Sequence, residues 1–145
     1  MPGITDPNQE YFKDGTWGWD GTRWRKLALV FGYSDIYGET VFNAAAAAGT
    51  NYLTFSTVPA GEVWVVSNFT VTASDASPTV AYLDAYIDGA IRPMRRIPYT
   101  VANNTADWQG MLVLGAGCYL RGGFTTCGVG IYIAAYACGY KMKVA

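Results

Sequence analysis

Histidine is absent from the 145 residues, and with it go the commonest general base and both the Ser-His and Cys-His nucleophile couples. The three cysteines, Cys118, Cys127 and Cys138, are odd in number and lack C-x-x-C spacing, so no zinc set is available. They are expected to be reduced, mostly buried small hydrophobes; no metal and no cofactor is expected. Charge is scarce too, at 14 % of residues against a typical ~25 %. The net charge of −1 provides no global field to recruit nucleic acid or an anionic membrane. No apolar run approaches the ~18 residues of a membrane helix. The opening Met1-Pro-Gly-Ile-Thr-Asp-Pro-Asn8 has neither the basic nor the apolar region of a signal peptide, which implies synthesis in a reducing cytoplasm. Of the eleven acids, six fall in the first 39 residues, a dispersal that argues against a paired-carboxylate site. Asp84 and Asp88 share a strand face beside a turn, and read as a solvent-exposed flank. Gly115-Ala-Gly117 and Gly128-Val-Gly130 lack the lysine and helix of a phosphate loop and read as turns. The chain is therefore read as not an enzyme.

Aromatic residues and glycine are plentiful instead, with 11 tyrosines and 17 glycines. Three of the five tryptophans sit in Gly15-Thr-Trp-Gly-Trp-Asp-Gly-Thr-Arg-Trp-Arg-Lys26. Asp20-Gly21 suits a two-residue hairpin turn, in which both central residues take positive φ. Such a turn pairs Trp19 with Thr22, Gly18 with Arg23 and Trp17 with Trp24. Alternation then groups Trp17, Trp19 and Trp24 on one face and Thr16, Gly18, Arg23 and Arg25 on the other. At roughly 150–250 Å² per Trp, the indole face totals on the order of 450–750 Å², as large as the largest apolar patch of a typical monomer. Something must cover it. One reading makes the hairpin the first two strands of its own domain; the other has it contact another subunit or protein.

The remaining sequence reads as one domain with an arm, residues 1–26 forming the arm and 27–145 the domain. Residues 1–14, with Pro2, Gly3, Pro7 and Asn8, read as an extended tail. Lys26 to Tyr33 reads as a strand. Ser34-Asp35 and Gly38-Glu39 then punctuate a connecting segment, and the five alanines of 44–48 are too few for a helix. Strand signals follow at Tyr52 to Phe55, Glu62 to Thr72, Thr79 to Asp88, Ala90 to Arg96, Met111 to Leu114, Cys118 to Phe124 and Ile131 to Met142. In Glu62 to Thr72, alternation puts Val63, Val65, Phe69 and Val71 on the core face. Asp88-Gly89 predicts a second hairpin, with Pro93 placing its return strand at an edge or bulge. About eight short strands without an amphipathic helix indicate an all-β protein, a jelly-roll-like antiparallel β-sandwich.

Several strands are apolar on both faces. Val80, Tyr82 and Tyr86 oppose Ala81, Leu83, Ala85 and Ile87, and Tyr132, Tyr136 and Tyr140 back Ile131, Ile133 and Ala135. A sheet whose outer face meets water should alternate apolar with polar. Tyr82 and Tyr86, or Tyr132 and Tyr136, are accordingly expected at a homo-oligomer interface of a trimer or dimer, though a closed barrel would look similar. Two basic clusters, Arg92 with Arg95 and Arg96, and Arg23 with Arg25 and Lys26, read as solvated surface or as contacts to an acidic partner. No nucleic-acid motif accompanies them.

The arm Trp17-Gly-Trp-Asp-Gly-Thr-Arg-Trp-Arg-Lys26 resembles short N-terminal repeats in structural proteins of tailed bacteriophages. Val58-Pro-Ala-Gly-Glu-Val-Trp-Val-Val66 resembles a strand opening common in the β-sandwich virion proteins of those viruses, and Ile131 to Met142 is similar to the close of such domains. The resemblance implies a virion component made in the host cytoplasm: a capsid decoration (cement) protein whose arm, through Trp17, Trp19, Trp24, Arg23 and Arg25, meets the major capsid protein. The alternative is a tail-tip or fibre part that binds a host surface glycan. Exposed Tyr and Trp suit sugar stacking.

Overall fold

A computed structural model describes residues 35–143 in full and, of the chain before them, the backbone of Trp17–Trp19 (β1) and Trp24–Lys26 (β2). The expected tail, Arg23, the Asp20-Gly21 turn and most of the expected strand Lys26 to Tyr33 lie outside the described residues. β1 and β2 pair antiparallel with each other, and their backbone pairing extends neither of the other two sheets. The register differs from the one expected: Trp19 lies opposite Trp24, Gly18 opposite Arg25 and Trp17 opposite Lys26. Four residues rather than two separate the innermost pair. Four-residue connections are among the next commonest after the two-residue turns, and a shift of two keeps positions 17, 19 and 24 in the same alternation class.

Eight further strands follow: β3 (Asp35–Asn43), β4 (Gly49–Thr54), β5 (Glu62–Ala73), β6 (Val80–Ile87), β7 (Ala90–Pro98), β8 (Thr105–Leu114), β9 (Tyr119–Cys127) and β10 (Ile133–Lys143). They pair β3 with β10, β4 with β9, β5 with β8 and β6 with β7, all antiparallel. That is one long hairpin folded at the β6–β7 turn. Two more pairings, β10 with β5 and β9 with β6, roll the hairpin into sheets ordered β3-β10-β5-β8 and β4-β9-β6-β7. The architecture is a jelly roll.

Local chemistry explains the pivot. Asp88 and Gly89 both have positive φ, 51° and 75°, as a two-residue turn matched to strand twist requires. Pro93 lies where expected, on the edge strand β7 beside a register shift between Leu83 and Asp84. Residues 44–48 form no helix.

Two further expectations fail. The segment after Ser34 is not a connection but the nine-residue strand β3. Its Gly38 mimics a turn signal, yet on this sheet edge a Cβ at Gly38 would meet nothing within 4 Å. The core face of β5 also switches partway: Trp64 and Val66 point inward ahead of Ser67, and Phe69, Val71 and Ala73 point inward after it. Val65 is instead buried in an outer row between Tyr140 and Val113. The cause is a bulge, since Gly139 pairs with Val66 and Cys138 with Asn68, leaving Ser67 as an extra residue. Ser67 Oγ donates to the Cys138 carbonyl at 3.1 Å.

Between the sheets lies one core built on Phe69, Phe124, Leu83, Leu114, Leu120, Ile133, Val66 and Val71. Tyr99, in the β7–β8 connection, enters it with its ring against Phe124, centroids 5.0 Å apart. Its hydroxyl accepts from the Ala73 N–H at 3.0 Å and donates toward the carbonyls of Asn104 (2.7 Å) and Ala73 (3.0 Å). Tyr99→Phe would leave that buried N–H without the hydroxyl. A loss of about 1–3 kcal/mol is expected, measurable as a lowered urea midpoint with an unchanged slope.

Candidate functional site

The outer face of the β4-β9-β6-β7 sheet carries three rows set by register. Tyr52, Gly123, Tyr82 and Arg96 form one; Thr54, Arg121, Asp84 and Pro93 the next; Tyr119, Tyr86 and Ile91 the third. Gly123 is required there, because a Cβ would fall 2.5 Å from the Asn51 carbonyl oxygen and 2.7 Å from Tyr52 Cδ1. Without a side chain at that position, Tyr52 and Tyr82 lie 6.1 Å apart across the gap.

Asp84 sits at the centre, fully buried. One carboxylate oxygen accepts from Arg121 Nη2 at 2.9 Å and the other pairs with Arg96 Nη1. Each guanidinium also covers a ring, Arg121 over Tyr52 at 4.1 Å and Arg96 over Tyr82 at 4.2 Å. Arg121 Nε is buried without a partner. Two cations on one carboxylate leave a local positive excess. Stacking, charge recognition and locking of the sheet are what this arrangement offers chemically.

These contacts correct the reading of Asp84 as a solvated turn flank; only Asp88 belongs to the turn. Its partners lie 12 and 37 residues away, so neighbouring sequence could not reveal its burial. The Arg92, Arg95, Arg96 cluster across the Asp88-Gly89 turn was the available signal. All three arginines are exposed, and of them Arg96 reaches Asp84.

The four tyrosines expected at an oligomer interface do not come together. Tyr82 and Tyr86 lie on the face just described, half-buried by this chain's own side chains: Arg96 covers Tyr82, and Tyr86 stacks on Tyr119 at 4.7 Å with 10° between planes. Tyr132 and Tyr136 belong to the other sheet's side and remain exposed. Tyr132 stacks on Phe42 at 6.0 Å. The Tyr136 phenol is pushed up, first by desolvation and then by the Tyr132 hydroxyl.

On that second outer face, Ile36, Tyr140, Val65 and Val113 form a continuous apolar row across all four strands. Met111 adds to the same flank and Phe42 to the opposite one. Ile36, Phe42, Met111 and Val113 are all exposed. The sequence reading placed Met111 and Val113 in a strand without assigning them a face, and it took Ile36 and Phe42 as part of a connection. The cysteines are free, with Cys127 buried, Cys118 half-buried and Cys138 exposed, so the expectation of mostly buried thiols holds in full for Cys127 alone. Burial pushes the Cys127 thiol up. Among the described residues no group of three His, Cys, Asp or Glu side chains is placed to hold a metal. No protein-family model matches the chain, and no curated protein matches it.

Proposed function

We propose that this chain is a virion structural protein, a capsid decoration (cement) subunit that is held on the outer lattice by its N-terminal arm and associates with copies of itself. The observation that carries the reading is the division of the chain: β1 and β2 pair with each other and extend neither four-stranded sheet, while the jelly roll closes its own core. The exposed Ile36, Phe42, Met111 and Val113 supply apolar area for contact with further subunits.

Burying half of the arm's indole area yields roughly 6–9 kcal/mol of gross hydrophobic stabilisation per copy. Lost freedom on docking offsets much of it, so retention depends on many copies acting together. Deleting residues 1–26, or replacing Trp17, Trp19 and Trp24 with Ala, is expected to leave a β-domain with an unchanged circular dichroism spectrum that no longer sediments with particles. Arg23→Glu with Arg25→Glu weakens retention less and in a salt-dependent way. Full occupancy by the truncated domain would rule out the arm as anchor. Failure of that domain to fold would assign the hairpin to the domain itself.

Tyr52, exposed beside the Arg96 and Arg121 guanidiniums, favours a second reading, a tail-tip or fibre protein that binds a host glycan. Copy number separates the two: a cement protein is a major band beside the capsid protein, a tail-tip part is present in a handful of copies.

A further inference from the structure

The two flanks of the sandwich are unlike. On one, β3 and β4 carry Asp35 and Glu39 and neither lysine nor arginine. On the other, β7 carries Arg92, Arg95 and Arg96 with no acid, and β8 adds only Asp107. β7 and β8 share their flank directly, Arg95 Nη1 donating to the Asp107 carbonyl. The edge strands of one flank are thus acidic, with Lys141 of β10 opposite Asp35, and those of the other are basic through Arg92 and Arg95, Arg96 being paired with Asp84.

Apolar area is distributed over both. Ile36 (68 % exposed) and Phe42 (61 %) stand on β3, Met111 (75 %) and Val113 (56 %) on β8. Edge protection is uneven as well. In the β4-β9-β6-β7 sheet one edge strand is only six residues long and the other carries Pro93, Pro98, three arginines and a register shift, devices that discourage pairing. The edges of the other sheet, β3 and β8, run nine and ten residues without a proline or lysine.

From these observations we propose that copies of this chain associate head-to-tail, the β7–β8 flank of one against the β3–β4 flank of the next, and close into a ring. Meeting of like flanks is disfavoured, since it would set Arg92 and Arg95 against their own copies or Asp35 and Glu39 against theirs. A two-fold dimer joins identical patches, so the smallest ring built from unlike patches has three members. Of the trimer and dimer expected from the sequence, the flanks favour the trimer. Strands of nine and ten residues give a flank ~30 Å long, and two packed sheets with their side chains make it ~20 Å thick. The contact is on the order of 600 Å² per partner, close to the ~800 Å² of a standard stable interface. The inference rests on the self-association part of the proposed function and not on attachment to a particle.

Sedimentation of the purified full chain across a concentration series tests it. The wild type is expected as a closed oligomer of three or more copies. Arg92→Glu with Arg95→Glu spares the Asp84 ion pairs and is expected to weaken assembly by roughly tenfold or more at low salt. Asp35→Arg with Thr40→Arg, which leaves Glu39 in its hydrogen bonds with Ser56, should do the same. All four changes in one chain reverse the polarity of both flanks and restore the oligomer. Circular dichroism establishes that each variant is folded. A monomeric wild type at micromolar concentration overturns self-association altogether. An oligomer indifferent to either pair of changes, or a four-fold variant that stays apart, leaves self-association standing and overturns the head-to-tail interface. So does preferential mixed assembly of wild type with Arg92→Glu/Arg95→Glu, the mark of identical flanks meeting.

Discussion

Gly139→Ala is expected to cost about 4 kcal/mol or more, enough to leave much of the protein unfolded at 37 °C. The alanine Cβ would sit 1.9 Å from the Val65 carbonyl oxygen and 2.9 Å from its carbon. The obstacle is backbone, not the end of a flexible side chain, so relief requires β10 and β5 to separate. Those two strands form the centre of their sheet, paired from Ile133 opposite Ala73 to Lys143 opposite Glu62, and the close approach occurs where Ser67 bulges out. Because a domain of this size has a total stability of only ~5–15 kcal/mol, the loss would be a large fraction of the whole. Gly38→Ala is the control. Gly38 pairs with Cys138, one residue away in the same sheet, and its added Cβ meets nothing within 4 Å. Removing a strand glycine there is expected to leave stability unchanged or raise it by up to ~1 kcal/mol. Denaturant melts of the two variants measure the contrast, and equal midpoints would refute the argument from close approach.

Asp84→Ala is the second large effect, expected at about 3 kcal/mol. Breaking a buried pair by removing one partner typically costs ~3–5 kcal/mol, because the remaining charge is left uncompensated. The lower end applies, since the two arginine side chains keep 35 % and 23 % of their exposure and water relieves part of the penalty. Arg121 has the harder position, with its Nε already buried and unpartnered. Once released, the guanidiniums also give up their fixed seats over Tyr52 and Tyr82, which exposes the face that they cover. Asp84→Asn keeps the volume and one acceptor, so its loss should be smaller. The difference between the two variants reports on the charge. Thermal melts showing less than about 1 kcal/mol for Asp84→Ala would mean that solvent screens the pair despite its burial, contrary to the expected range.

That ion pair also revises why the β6 face is so apolar. From alternation alone, Tyr82 and Tyr86 require a cover, and a second subunit is the economical one. The chain supplies much of the cover itself, through Arg96 on Tyr82 and Tyr119 on Tyr86. Tyr52 stays exposed on this sheet, and the other sheet exposes Ile36, Phe42, Met111 and Val113. Those edge residues remain open to contact between copies, with Tyr132 and Tyr136 exposed on the same sheet's side.

What the sequence determined by itself is whatever depends on near neighbours. The all-β class follows from alternation without any sustained helical period, and the folding point of the long hairpin follows from Asp88-Gly89, whose positive φ values are a local preference. Pro93 at an edge and alanines 44–48 outside any helix are local consequences too. Tertiary structure decided the rest. β3 became a strand because β10 was there to pair with it, and the core face of β5 reversed because Ser67 was left over against β10. Asp84 is buried only because Arg96 and Arg121 arrive from 12 and 37 residues away. Dihedral preference and side-chain period act within a few residues, whereas pairing partners, bulges and the desolvation of a charge are set by groups that meet only when the sheets close.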